Sequence, residues 1–151
     1  MDKDSVRGPV TVTVEQKKTK WTSSLEFPSA TQLGLHMKNF FTALQWWKLT
    51  PRFDDTNWFQ PEKSAWYSLA TSDADLYVVY LYNWRTTATG TLRHMRPATY
   101  HAKWFNTKTG EYTDLGEFRP ENGPRGEGCH WKIPEKPTAS DWVLLAMVLP
   151  K

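Results

Sequence analysis

The chain has almost no cysteine. Cys129 stands alone among 151 residues, so no disulfide within the chain is possible. Its neighbour His130 superficially suggests a nucleophile and base, but adjacent residues on a strand point to opposite faces, the wrong geometry for that chemistry. Also missing is any apolar run of membrane-spanning length; the longest, Trp142 to Pro150, falls far short. The N-terminal Met-Asp-Lys-Asp lacks an apolar leader segment, so the sequence reads as carrying no export signal of its own. The four histidines (His36, His94, His101, His130) have no metal-ligand spacing, and no glycine-rich phosphate loop or nucleophile elbow occurs. No metal and no cofactor is implied. Charge of one sign is scarce too: 19 Lys and Arg against 16 Asp and Glu leave +3, and apart from Lys17-Lys18-Thr19-Lys20 the basic residues are dispersed. A nucleic-acid footprint concentrates basic residues on one face or stripe. The basic excess with many aromatics admits a single-stranded nucleic-acid binder as a remote alternative, but the dispersion argues against it.

What is abundant is aromatic surface. Nine Trp, six Tyr and seven Phe make up 15% of the chain. Such residues favour half-buried pleated surfaces and also serve as flat platforms for ligands.

Val10 to Val14 alternates with period two and reads as a short strand. One helix follows, expected to start at Ser29 with Gln32 completing a capping box. Leu33, Met37, Phe40, Phe41 and Leu44 form its apolar stripe, Trp46-Trp47 lie at its exit, and Thr50-Pro51 is expected to stop it. Beyond Asn57 the pattern becomes strands and turns. Strands are expected at Ala65–Thr71, Leu76–Tyr82, Thr99–Asn106, Glu111–Phe118, Gly128–Ile133 and Asp141–Leu149. Leu76–Tyr82 is apolar on both faces, as a central strand would be. In Thr99–Asn106, Tyr100, Ala102 and Trp104 share one face while His101, Lys103 and Phe105 share the other. Turn chemistry occupies Ser72–Asp75 and Thr107–Gly110, and Pro120–Gly128 reads as a loop. Short strands at regular spacing without alternating helices predict a mainly β fold, an antiparallel β-sandwich with one N-terminal amphipathic helix. Residues 1–55 read as an N-terminal segment carrying the strand and junction helix, and 56–151 as the sandwich. Tyr77, Leu81, Trp104, Phe105 and Trp142 are its expected core.

Glycoside hydrolysis requires two carboxylates facing each other across a cleft. Glu15 and Glu26 are the conceivable pair, but nothing in this length of chain supplies the cleft. Trp58, Trp84 and Trp131 fall near turns or strand ends, beside Arg85 and Lys132, where an exposed indole can stack on a sugar ring while polar neighbours bond its hydroxyls. Trp58, Trp84, Arg85 and Trp131 are therefore the candidate ligand-binding residues. Phe40, Phe41, Trp46 and Trp47 are the candidates for packing against another domain.

The segment Tyr100-His101-Ala102-Lys103-Trp104-Phe105-Asn106-Thr107-Lys108-Thr109-Gly110-Glu111, with Ser140-Asp141-Trp142-Val143-Leu144 further on, resembles a C-terminal β-sandwich family described as a collagen-binding domain of a collagenase. The stretch from His36-Met37-Lys38-Asn39-Phe40-Phe41 to Trp46-Trp47-Lys48-Leu49-Thr50-Pro51 is similar to the junction that joins such sandwiches to a (β/α)₈ barrel in apiosidase-like glycoside hydrolases. The resemblance spans about residues 30 to 150. It departs at Asn106-Thr107-Lys108, where the family has Asp-Pro-Arg, and at Asn83-Trp84-Arg85, where it often has a Leu-Pro-x-Gly turn. The resemblance implies a non-catalytic accessory module that supports a catalytic barrel in cis or in trans, with possible polysaccharide contact and an extracellular or periplasmic location. A free-standing carbohydrate- or collagen-binding module is the alternative.

Overall fold

The computed structural model describes residues 28–53, 55–62, 67–82 and 88–150, with the side chains of Leu33 and 67–70 also left aside. The strand expected at Val10–Val14, the carboxylates Glu15 and Glu26, and Trp84 and Arg85 lie outside the described residues.

The described chain is a two-sheet antiparallel sandwich with a helical segment at its N-terminal side. The strands are β1 (Thr50–Pro51), β2 (Phe59–Glu62), β3 (Tyr67–Ser72), β4 (Leu76–Leu81), β5 (Thr89–Met95), β6 (Tyr100–Asn106), β7 (Tyr112–Phe118), β8 (Glu121–Asn122), β9 (Cys129–Lys132) and β10 (Trp142–Val148). Six form one sheet in the order β1-β3-β4-β10-β6-β7, and four form the other in the order β2-β5-β9-β8. The aromatic and β-branched strands β4, β6 and β10 lie in the middle of the larger sheet, where both faces are covered. The expected two-faced burial of β4 and the alternation of β6 are both seen: Tyr100, Ala102 and Trp104 turn inward, and Phe105 is buried on the opposite face.

The inward face packs Tyr77, Val79, Leu81, Trp104, Trp142 and Leu144 against Phe59, Leu92, Met95 and Ile133. Its tyrosine hydroxyls are hydrogen-bonded. The Tyr100 hydroxyl donates to the Ala74 carbonyl at 2.6 Å and accepts from the Arg96 N–H at 3.0 Å, and Tyr77 donates to the Arg93 carbonyl at 3.1 Å. The Ser72–Asp75 turn takes positive φ at Asp73 (45°) and Ala74 (59°), the conformation whose twist matches a tight two-residue hairpin.

Sequence patterning announces neither β2 nor β5. In β5 the pairing with β9 shifts register between Leu92 and Met95, and His94 adopts φ 56°, so the period-two signal breaks inside the strand. Gly90 adds to the disguise. A Cβ there would lie 2.3 Å from Phe59 Cζ, so only glycine lets the phenyl ring cross the strand. Pro120–Gly128, read as a loop, contains the two-residue β8. The sheet edges are blunted by Pro51 in β1, Pro61 in β2, the shortness of β8, and a bulge at Gly116 in β7 beside Asp114 and Glu117.

The helical segment departs from expectation at both ends. It begins at Pro28, so Ser29 sits inside the first turn rather than capping it. A proline at the helix start loses nothing, because its absent N–H would have no intrahelical partner. Pro28–Thr31 is α-helical, Gln32–Met37 widens to π pitch, and Lys38–Thr42 returns to α. The segment ends at Thr42, well before Pro51, and a single 3₁₀ turn follows at Trp46–Lys48. Thr50-Pro51 is instead an edge strand on β3.

Candidate docking face and groove

The outer face of the six-stranded sheet is apolar at Leu76, Val78, Phe105, Val143 and Leu145, and the helical segment with the turn after it covers this face through Phe40 and Leu44. Phe40 is 4% exposed, its ring 4.7 Å from that of Phe105. Full burial of a phenyl side chain contributes about 1.5–3 kcal/mol, so this contact alone holds the segment to the sheet with substantial free energy. A second contact fixes its direction. The His36 ring lies on the β6–β7 turn, with Nδ1 3.4 Å from the Thr107 carbonyl. Gly110 in that turn has φ 75°, and a Cβ there would lie 2.8 Å from His36 Cδ2. Glycine is thus required twice, by the backbone and by the approaching imidazole.

Between the segment and the sheet lies a groove of about 480 Å³. Phe40, Phe41, Phe105, Val78 and Val143 line it, together with Ser29, Gln32 and His36. One end is polar: the Tyr80 hydroxyl donates to Asp141 Oδ2 at 2.5 Å, and Thr107 Oγ1 donates to the Asp141 carbonyl at 3.1 Å. Burial first, and then the hydrogen bond to the carboxylate, push the Tyr80 phenol well above its ordinary value.

The same stretch of chain presents large apolar side chains outward. Trp47 is 66% exposed, Phe53 64% and Trp46 54%, joined by Leu35, Met37 and Phe41. The Trp46 and Trp47 rings meet edge to face at 6.3 Å. Of the four residues proposed from sequence to pack against another domain, Phe40 is spent on this chain's own sheet, whereas Phe41, Trp46 and Trp47 stand open.

Trp58 and Trp131 sit elsewhere, Trp58 in the turn just before β2 and Trp131 on β9, with β5 between those two strands. Trp131 stacks on Phe118 at 3.7 Å and 17°, and Phe118 stacks in turn on Tyr100, closing one edge of the sandwich. Trp58 packs 6.1 Å from Tyr77 and 5.2 Å from His94, with the Arg52 guanidinium 4.6 Å over its ring. Each ring therefore has a packing partner on at least one side.

Cys129 is buried, its Sγ 3.7 Å from Asn122 Oδ1, while His130 Nε2 approaches Glu127 Oε2 at 3.6 Å. Glu127 also pairs with Arg93, which donates to the Thr56 carbonyl, so this cluster ties the loop before β9 to β5 and the approach to β2. Across β6 and β7, His101 Nε2 lies 2.7 Å from Asp114 Oδ1. The Gly116 N–H and then His101 hold the Asp114 carboxyl below its ordinary value. Among the described residues no three His, Cys, Asp or Glu side chains are grouped to hold a metal ion. The groove and the missed β5 bulge had no sequence signal, since each arises from residues that meet only across strands.

Residues 55–147 match the family described as "Putative collagen-binding domain of a collagenase". A solved glycoside hydrolase superposes with TM-score 0.62 at 19% identity, over 89% of this chain and 28% of its own. A glycoside hydrolase family 5 structure from Bacteroides vulgatus ATCC 8482 gives TM-score 0.61 at 19% identity, over 89% of this chain and 27% of its own. At that identity the likeness is one of fold, and this chain spans under a third of the length of either. A search of curated proteins finds no match.

Proposed function

From the premise that this chain belongs to the family of collagenase collagen-binding domains, we propose that it is a non-catalytic accessory module. It supports the catalytic (β/α)₈ barrel of a glycoside-hydrolase-like protein. The observation that carries the reading is the outward-facing series Phe41, Trp46, Trp47 and Phe53 beside the helical segment. Water-exposed indoles in this number are costly on a free surface, and interface cores are enriched in Trp and Phe. The similar glycoside hydrolases have more than twice this chain's length beyond the shared fold, which is where such a partner would lie. Sugar contact at Trp58 and Trp131, with Trp84 and Arg85, is the finer proposal. Their indoles would offer whatever ring face packing leaves open.

The test uses the chain by itself. A hydrophobic dye should bind it, and sedimentation should show concentration-dependent association. Trp46→Ser with Trp47→Ser should abolish the association and weaken the dye binding without lowering stability by more than about 0.5 kcal/mol. A dye-silent, strictly monomeric chain would end the docking proposal.

A further inference from the structure

The groove between the helical segment and the outer sheet face has a chemistry of its own, independent of what covers the exposed tryptophans. Its volume of about 480 Å³ lies within the range of small-molecule sites, roughly 300–1,000 Å³. The walls are largely aromatic and mutually inclined: Phe40 meets Phe41 at 89° and Phe105 at 42°. Such walls favour a flat aromatic guest, which can stack on one ring and meet the edge of another.

At the Tyr80–Asp141 end the groove offers acceptors. Tyr80 has already given its proton to Asp141 Oδ2, which leaves the phenolic oxygen's lone pairs and the carboxylate's remaining acceptor capacity there. A polar group of a guest seated at that end must therefore donate. Another carboxylate would set anion against anion. The donor need not be a cation, because the buried Lys136 ammonium, held by the Tyr82 and Ser140 carbonyls, already lies within electrostatic reach of Asp141. A saccharide fits less well: apart from those near Ser29, Gln32, His36 and the Tyr80–Asp141 end, its several hydroxyls would face phenyl and valine walls. We propose that this groove is a binding site for a phenol-type aromatic alcohol, its ring among Phe40, Phe41 and Phe105 and its hydroxyl donating to the Tyr80–Asp141 pair.

Titrating the chain with 4-methylphenol, toluene, 4-methylbenzoate and xylose at neutral pH, followed by ligand-observed NMR, tests this directly. 4-Methylphenol should bind saturably and toluene about tenfold more weakly, the loss expected for one hydrogen bond to a charged acceptor. Asp141→Ala should bring 4-methylphenol down to the toluene level while leaving toluene unchanged, which also shows the groove still folded. Where that variant fails to fold, the phenol-to-toluene ratio on the unaltered chain decides. Equal binding of the two, tighter binding of 4-methylbenzoate or xylose, or silence from all four would overturn the assignment.

Discussion

The two faces of the six-stranded sheet differ in how they are finished. The inner face meets a second sheet, and its rim is closed by the Trp131–Phe118–Tyr100 stack, so the large side chains at its centre, such as Tyr77, Tyr100 and Trp104, are buried. The outer face is equally apolar in its strands, and among the described residues a short helical segment covers it. What remains is a groove and a series of open aromatics. A sheet can thus be complete as a structural unit on one side and unfinished on the other, and the unfinished side is where partners and ligands are to be sought.

This contrast sets the expected mutational effects. Trp104→Ala, in the middle of the inner core, should cost about 3–5 kcal/mol in denaturant unfolding, because transfer and cavity terms add in a closed interior. Phe40→Ala on the outer face should cost only about 2 kcal/mol, since water from the neighbouring groove can enter the space and little sealed cavity remains. Equal losses at the two positions would break the comparison.

Alkali should sharpen it. Burial raises the phenols of Tyr77, on the inner face, and Tyr80, on the outer, above their ordinary value of 10.0. A folded pKa above the unfolded one means stability is fully present below pH 10.0 and falls as pH rises toward the folded values, where the unfolded chain binds fewer protons. The slope per buried phenol approaches about 1.4 kcal/mol per pH unit. Tyr77→Phe should flatten the alkaline limb more than Tyr80→Phe, whose phenol lies in the open groove; unfolding measured from pH 9 to about 12 separates the two.

The smallest effect belongs to neither face. Asp114, at the exposed edge strand, has its carboxyl lowered by the Gly116 N–H and His101. Its contribution is present above the unfolded value of 3.8 and is lost as pH falls through the folded one. Asp114→Asn should shift the acid midpoint slightly and leave neutral stability nearly unchanged, as expected of a solvated pair. A large change at neutral pH would mean that the edge bulge itself depends on this carboxylate.

Sequence by itself determined the sandwich and its central strands. β4, β6 and β10 carry period-two or doubly apolar patterns that local side-chain geometry makes readable, and the turns at Ser72–Asp75 and Thr107–Gly110 carry Asp73 and Gly110, which are suited to positive φ. It also placed the junction aromatics on one stretch of chain. It missed β5, because a bulge and the crossing of Phe59 over Gly90 erase the alternation. Only the tertiary structure decided that Phe40 belongs to this chain's own core while Trp46 and Trp47 do not, and that Tyr80, Asp141 and His36 share one groove. The physical reason is one of range: periodicity reports which face of an element is apolar, but what covers that face depends on contacts between segments far apart along the chain.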